Sequence, residues 1–247
     1  MKVIALYNIK GGVGKTAAAV NLAYLAASEG TRTLLCDLDP QAAATYYLRV
    51  RAPKRHGSKR LIQGGKALDR QIRESNFPGL DLLPAKMGFR NLDLKLDARK
   101  RSRRRLAESL HSLTGAYELV VIDAPPNITL LSENIIEAAD LLLCPVIPTT
   151  LSLRTWDQLD RFLRKEKLPR DGLRAFFSMA ERRKKLHAAT IRETLDSDPR
   201  FFPSVIPMSA AVERMGPERA PLFVYDKRSV AACAFRGLWD DIQCQLR

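Results

Sequence analysis

Asn8-Ile9-Lys10-Gly11-Gly12-Val13-Gly14-Lys15-Thr16 lies between an apolar run that begins at Lys2 and a helical pattern over residues 15–28. Glycines at such a strand–helix junction let backbone N–H groups turn inward around phosphate oxygens, and the helix N-terminus adds its positive dipole end. Lys15 is placed to reach β- and γ-phosphates, and the Thr16 hydroxyl to ligate Mg²⁺. The stretch misses the pattern G-x-x-x-x-G-K-[ST] by one position, because residue 9 is Ile where the pattern has Gly. A second lysine, Lys10, stands at the mouth of the loop. An ordinary glycine-rich turn needs neither lysine. The expected nucleotide contacts here are Lys10, Gly11, Gly12, Val13, Gly14, Lys15, Thr16 and Ala17.

Two further runs end in acids. Leu34-Leu35-Cys36-Asp37-Leu38-Asp39-Pro40-Gln41 and Leu119-Val120-Val121-Ile122-Asp123-Ala124-Pro125-Pro126 both read as buried strands. In a parallel sheet they bring carboxylates to the same edge as the phosphate loop, where such folds bind ligands. Asp123, after its apolar run, is placed to hold Mg²⁺ directly or through water. Asp37 is expected to brace the phosphate loop.

Beyond these runs, short apolar segments alternate with helical patterns. Strands are expected over 2–8, 33–37, 80–83, 119–123, 141–146, 173–179 and 204–206. Helices are expected over 15–28, 40–48, 89–113, 130–138, 153–166, 184–196 and 228–246. Mostly continuous apolar strands with crossover helices give an α/β fold: one doubly wound, mostly parallel sheet with helices on both faces, forming a single domain over 1–247. The basic, glycine-containing stretch 50–66 reads as a mobile surface loop.

The chain carries 41 Lys+Arg against 27 Asp+Glu, a net charge of +14. Such an excess attracts nucleic acid or an anionic membrane face. The cations cluster at 49–60, 99–105 and Arg182-Arg183-Lys184-Lys185. No apolar run is long enough to span a membrane, and no signal peptide is evident. Cys36, Cys144, Cys233 and Cys244 show no metal-ligand spacing, as expected of free thiols in a reducing cytosol.

Over nearly its whole length the sequence resembles the ParA/MinD family of deviant Walker A P-loop ATPases, whose signature is x-K-G-G-x-x-K-[ST]. The resemblance implies ATP and Mg²⁺ as cofactors and an ATP-dependent homodimer. Lys10 would reach the partner subunit's phosphates, and Lys15 would act within its own. It implies that Asp39 orients the attacking water and that Asp123 and Thr16 hold the metal. The segment from Asp123 to Asn134 resembles the family's second switch. Phe177–Arg183 and Ser204–Met208 are similar to elements flanking the adenine, which puts Met179, Pro207 and Met208 near the base.

What the resemblance implies for function is an ATPase of the small ParA type. It would dimerise on ATP, bind duplex DNA without sequence preference and position a plasmid, chromosome or protein assembly. A ParB-type or analogous adaptor would trigger slow hydrolysis and release. DNA contacts are expected from Arg182, Arg183, Lys184 and Lys185, with Arg214 and Arg219, and the protein is expected in the cytoplasm on the nucleoid. The chain starts at its first strand, so no DNA-reading domain is expected before it. One departure is that Met208-Ser209-Ala210-Ala211 carries no cation where relatives commonly do.

The alternative is a MinD-like membrane-associated ATPase. That class uses a basic C-terminal amphipathic helix, and here the apolar stripe Ala231, Phe235, Leu238, Ile242, Leu246 is interrupted by Asp240 and Asp241. A helix docked on the core, without stable membrane insertion, is the expectation. Iron–sulfur relatives of the fold would need cluster-ligating cysteines, and none follows the second switch before Cys144.

Overall fold

The computed structural model describes residues 1–53, 57–86, 89, 92–97 and 102–246. Its strands are β1 (Lys2–Leu6), β2 (Thr33–Asp37), β3 (Arg73–Glu74), β4 (Leu80–Leu83), β5 (Leu119–Asp123), β6 (Leu141–Val146), β7 (Leu173–Ala180) and β8 (Phe201–Pro207). They form one sheet in the order β3-β4-β2-β5-β1-β6-β7-β8. Every pairing is parallel except β3 with β4. The chain builds one side of β1 with β2 to β5 and the other with β6 to β8. The strand order therefore reverses beside the carboxyl end of β1, where doubly wound sheets open a ligand crevice.

The helices are α1 (Lys15–Ser28), α2 (Ala43–Tyr47), α3 (Ser58–Gln63), α4 (Gly65–Asp69), α5 (Leu92–Asp97), α6 (Arg105–His111) and α7 (Leu130–Ala138). They continue as α8 (Thr150–Lys165), α9 (Lys185–Ser197), α10 (Ala210–Glu213), α11 (Met215–Glu218), α12 (Leu222–Tyr225) and α13 (Val230–Leu246). Alternation along β1 sends Val3, Ala5 and Tyr7 into one core with α7 and α8, and Ile4 and Leu6 into the other with α1 and α13. Both faces of the central strands are covered, which explains their unbroken apolar sequences. Helix α1 is rich in alanine, and Ala18, Ala19, Ala23 and Ala26 are all buried; small side chains let it lie between the sheet and α13. Its one buried amide, Asn21, donates to the Ala17 carbonyl at 2.8 Å and accepts from the Leu222 backbone N–H at 2.9 Å. That leaves neither end of the amide stranded in an apolar layer.

Several expectations change. The helix expected over 89–113 is divided into α5, a 3₁₀ turn at Ser102–Arg104 and α6, with residues 90–91 and 98–101 outside the described set. Asn134 explains one break: its Nδ2 donates to the Ser102 carbonyl at 2.7 Å and its Oδ1 accepts from the Leu106 N–H at 3.2 Å. These side-chain bonds replace the helix's own. The stretch read as a loop at 50–66 contains α3 and reaches α4, because Leu61 and Leu68 find core to bury against. The short antiparallel β3 carried no sequence signal. Helix α13 docks as expected, with Ala231, Phe235, Leu238 and Ile242 buried.

Candidate functional site

Between β1 and α1 the backbone takes positive φ at Gly12 (70°) and Gly14 (90°). Only glycine adopts these angles without strain. At Gly14 a Cβ would also lie 2.8 Å from Ser178 Oγ, so that hydroxyl would have to turn away. Lys15 opens α1 but is only 7% exposed, and its Nζ donates to the Lys10 carbonyl at 3.2 Å. Burial lowers its pKa, while the charges of Asp123 and Asp39 hold it up. Lys15 is thus a cation turned into its own loop. Lys10 is different: its side chain is exposed, and its backbone N–H donates to Asn8 Oδ1 at 2.9 Å. Asn8 in turn donates to the Pro145 carbonyl at 2.8 Å, so β6 anchors the start of the loop.

The acids meet as the topology requires. Asp37 and Asp123 are register partners on β2 and β5, and both are fully buried. Neither oxygen of Asp123 makes a hydrogen bond of ordinary geometry among the described residues, nor does Oδ1 of Asp37. Burial pushes the Asp123 carboxyl well above the usual range, and the Asp37 charge pushes it further; the Thr16 hydroxyl and the Lys15 charge act against both. Asp37 is pushed up to about 6, chiefly by burial. Buried charge without a partner is costly. Carboxylate oxygens beside a threonine hydroxyl form a hard-oxygen donor set of the kind Mg²⁺ takes. The residues present therefore fit a divalent metal.

One assignment is corrected. Asp37 does not brace the phosphate loop: its Oδ2 accepts from the Thr45 N–H at 2.8 Å and the Thr45 hydroxyl at 2.7 Å, fixing α2. Asp39 precedes that helix, half-buried, and its Oδ1 accepts from the Gln41 N–H at 2.9 Å. The loop is braced instead from the far side of Asp123. The Asn127 N–H donates to the Ile9 carbonyl at 3.2 Å, and Tyr7 Oη donates to the Asn127 carbonyl at 2.8 Å. Asn127 is in the left-handed region, with φ at 84°. The sequence signal for this tie was the segment after Asp123 as a whole; Tyr7 itself gave none.

A cavity of about 240 Å³ continues from the loop. Gly12, Gly14 and Ala17 form one side, and Met179, Pro207 and Met208 another. The structure thus brings together the loop and the three residues expected near a base. Met179 is a non-glycine residue at φ 56°, held where the Met208 N–H donates to the neighbouring Ala180 carbonyl at 2.9 Å. Ser178, within the segment expected to flank the adenine, also lines the cavity, as do Glu213, Phe235 and Tyr47, which the sequence reading missed.

The cations divide sharply. Arg182, Arg183, Lys184 and Lys185 are all exposed, on a corner shaped by His187 Nδ1 accepting from the Glu181 N–H at 3.1 Å. Lys184 pairs with Glu181 at 2.6 Å. Arg182 and Arg183 line a second cavity of about 400 Å³ that shares Pro207, Met208 and Ser209 with the first. That corner therefore adjoins the cavity that Met179, Pro207 and Met208 line. Arg214 and Arg219 are engaged elsewhere: Arg214 pairs with Glu218 at 3.3 Å and lies 5.1 Å from the Tyr225 ring. Arg219 lies 4.4 Å from the Tyr46 ring and donates to the Tyr46 carbonyl at 3.2 Å. In the 99–105 cluster, Arg103 pairs with Glu133 (2.6 Å) and Glu166 (3.1 Å), and Arg104 with Glu137 (3.6 Å). Residues 54–56 and 99–101 of the competing clusters lie outside the described residues.

A phosphate loop at the switch point of a parallel sheet, with buried acids on the two neighbouring strands, defines a P-loop nucleotide-binding protein. The family model described as an AAA domain matches residues 1–170. The chromosome partitioning protein ParA of Caulobacter vibrioides is 28% identical over 247 aligned residues, spanning 96% of this chain and 92% of that protein. A plasmid partition protein of Borrelia burgdorferi, solved with AMPPNP, shares the fold with a TM-score of 0.85 at 23% identity, covering 99% of both chains. Cobyrinic acid a,c-diamide synthase of Mycobacterium smegmatis, solved with an ATP analogue and magnesium, has a TM-score of 0.81 at 23% identity, covering 100% of this chain and 96% of that one. The chain belongs to the ParA/MinD family of P-loop ATPases.

Proposed function

We propose that this protein is a ParA-like, Mg²⁺-dependent ATPase acting as one unit over residues 1–247. It dimerises on ATP, binds duplex DNA without sequence preference and positions a cargo, with an adaptor of ParB type stimulating slow hydrolysis. The carrying observation is the convergence of buried Lys15 and the Thr16 hydroxyl with the fully buried carboxylate of Asp123 on one sheet edge. When bound, the metal neutralises phosphate charge. Lys15 holds the β- and γ-phosphates, Thr16 and Asp123 hold the metal, and Asp39, at the entrance to α2, orients the attacking water.

Lys10 supports a dimeric mechanism because its side chain is exposed while its carbonyl is occupied by Lys15. Lys10→Ala is expected to bind ATP near normally yet form no stable ATP dimer, measured by light scattering. Normal ATP-driven dimerisation of that variant would contradict the trans role.

For DNA, Arg182, Arg183, Lys184 and Lys185 are all exposed at the corner; Arg214 is also exposed and pairs with Glu218 on the surface, while half-buried Arg219 donates to the Tyr46 carbonyl. Arg182 and Arg183 changed together to Glu should reduce DNA affinity and flatten its salt dependence, by about 0.9 in log–log slope per lost phosphate contact. ATP-driven dimerisation should persist. Unchanged affinity and slope would move the DNA surface elsewhere or remove it. Docking of the α13 apolar face on the core weighs against the MinD-like membrane reading, and no helix among the described residues is long and apolar enough to cross a membrane. A cytoplasmic, nucleoid-associated location follows from the proposed DNA binding.

A further inference from the structure

Tyr47 lines the same cavity as Gly12, Gly14 and Ala17, although it comes from α2, on the opposite side of the loop from Met179 and Pro207. It is half-buried and packs against the core that also holds Val212 and Tyr225. The helix that carries it is tied down at several points. Thr45 is bonded to Asp37, the Tyr46 carbonyl accepts from Arg219 Nε at 3.2 Å, and Arg49 donates to the Glu218 carbonyl at 2.6 Å and the Arg219 carbonyl at 3.1 Å. Thr45 Oγ1 also accepts from the Ala85 N–H at 2.9 Å. An aromatic ring held this way is in place before any ligand arrives, so little ordering cost falls on binding.

We propose that Tyr47 is a nucleoside contact: its ring forms the α2 wall of the nucleotide pocket and packs on the sugar and base, not on the phosphates. The inference rests on the ATP-binding reading of this site. Phosphates seated at Gly12–Lys15 leave the nucleoside to enter the adjoining cavity, whose other walls are Met179, Pro207, Met208 and Phe235. Among the described residues lining that cavity only Tyr47 and Phe235 are aromatic, and Phe235 is 1% exposed, committed to the core. Tyr47 is only half-buried and lines the cavity, and a base stacks on an aromatic face whatever its identity.

The proposal separates nucleoside from phosphate, and so does its test. Equilibrium binding is measured for ATP, ADP and inorganic tripolyphosphate, with wild type, Tyr47→Phe, Tyr47→Leu, Tyr47→Ala and Lys15→Ala. Tyr47→Leu keeps apolar bulk against the core without a ring, so it guards against a folding defect in Tyr47→Ala. Tyr47→Leu and Tyr47→Ala should weaken ATP and ADP together by about tenfold, with Tyr47→Phe near wild type. Tripolyphosphate binding should be unchanged in all three and lost only in Lys15→Ala. Wild-type ATP affinity in Tyr47→Leu and Tyr47→Ala overturns the proposal, as does a parallel loss of tripolyphosphate binding, which would place the effect on the loop. A wild-type chain that binds neither ATP nor tripolyphosphate overturns the nucleotide reading itself and the inference with it.

Discussion

Lys15→Ala is expected to weaken ATP binding by about thirtyfold or more, the lower bound for removing one partner of a buried charged pair at roughly 2–5 kcal/mol. The ammonium is 7% exposed and already turned into the loop, donating to the Lys10 carbonyl. Little reorganisation is needed for it to meet phosphate oxygens, and water competes weakly there. Lys15→Arg should fail almost as badly although it keeps the charge. A planar guanidinium needs more room than a buried site shaped around a primary ammonium provides. The apo fold should survive both changes, because the first two turns of α1 are held by apolar burial of Ala18, Ala19 and Leu22. Isothermal titration of ATP, with circular dichroism to confirm folding, checks the prediction. ATP affinity within about threefold of wild type in Lys15→Ala, well short of the bound above, would remove Lys15 from the site.

The sequence made the sheet legible where two rules agree. Both-face burial gives continuous apolar strands, and acids placed at their ends survive in such runs only for a reason. Hence β2 and β5 were readable to the residue, with Asp37 and Asp123 expected at one sheet edge; that they are register partners follows from the strand order, which only the structure shows. What remained hidden depends on partners distant in sequence. Asp37 looked like a brace for the loop because both end at one sheet edge; that its carboxylate meets Thr45 follows from the path of α2, which no local pattern encodes. The break between α5 and α6 depends on Asn134, some thirty residues downstream. The cations of 99–105 read as one of three basic clusters that attract a polyanion, since pairing with Glu133, Glu137 and Glu166 requires knowing that α7 and α8 pass beside them. Tyr47 was invisible for the same reason. Its helical spacing signals a side chain near the core, not one at the rim of a cavity built from five other segments.

Asp123→Asn is expected to act in opposite directions on chemistry and on stability. Asn has nearly the same shape but no charge, and binds a hard divalent cation poorly. If Asp123 holds the metal, ATP hydrolysis should fall by about 10²–10⁴, corresponding to the several kcal/mol a bound metal contributes to the transition state. The dependence of ATP affinity on Mg²⁺ should flatten with it. The apo protein should gain stability. Asp123 is fully buried, neither of its oxygens makes a hydrogen bond of ordinary geometry among the described residues, and it faces Asp37, whose Oδ1 likewise makes none. Two carboxylates in one buried site repel, and each raises the cost of charging the other. A neutral amide removes that repulsion and supplies an N–H₂ donor beside Asp37. A gain of about 1 kcal/mol would raise Tm by roughly 2–4 °C in a chain of this size. Differential scanning calorimetry without nucleotide or metal, set beside a steady-state ATPase assay across Mg²⁺ concentrations, measures both signs. A variant that is destabilised in the apo state would mean that Asp123 is a structural anchor whose partner is the protein. One that keeps wild-type Mg²⁺ dependence would place the metal on other residues.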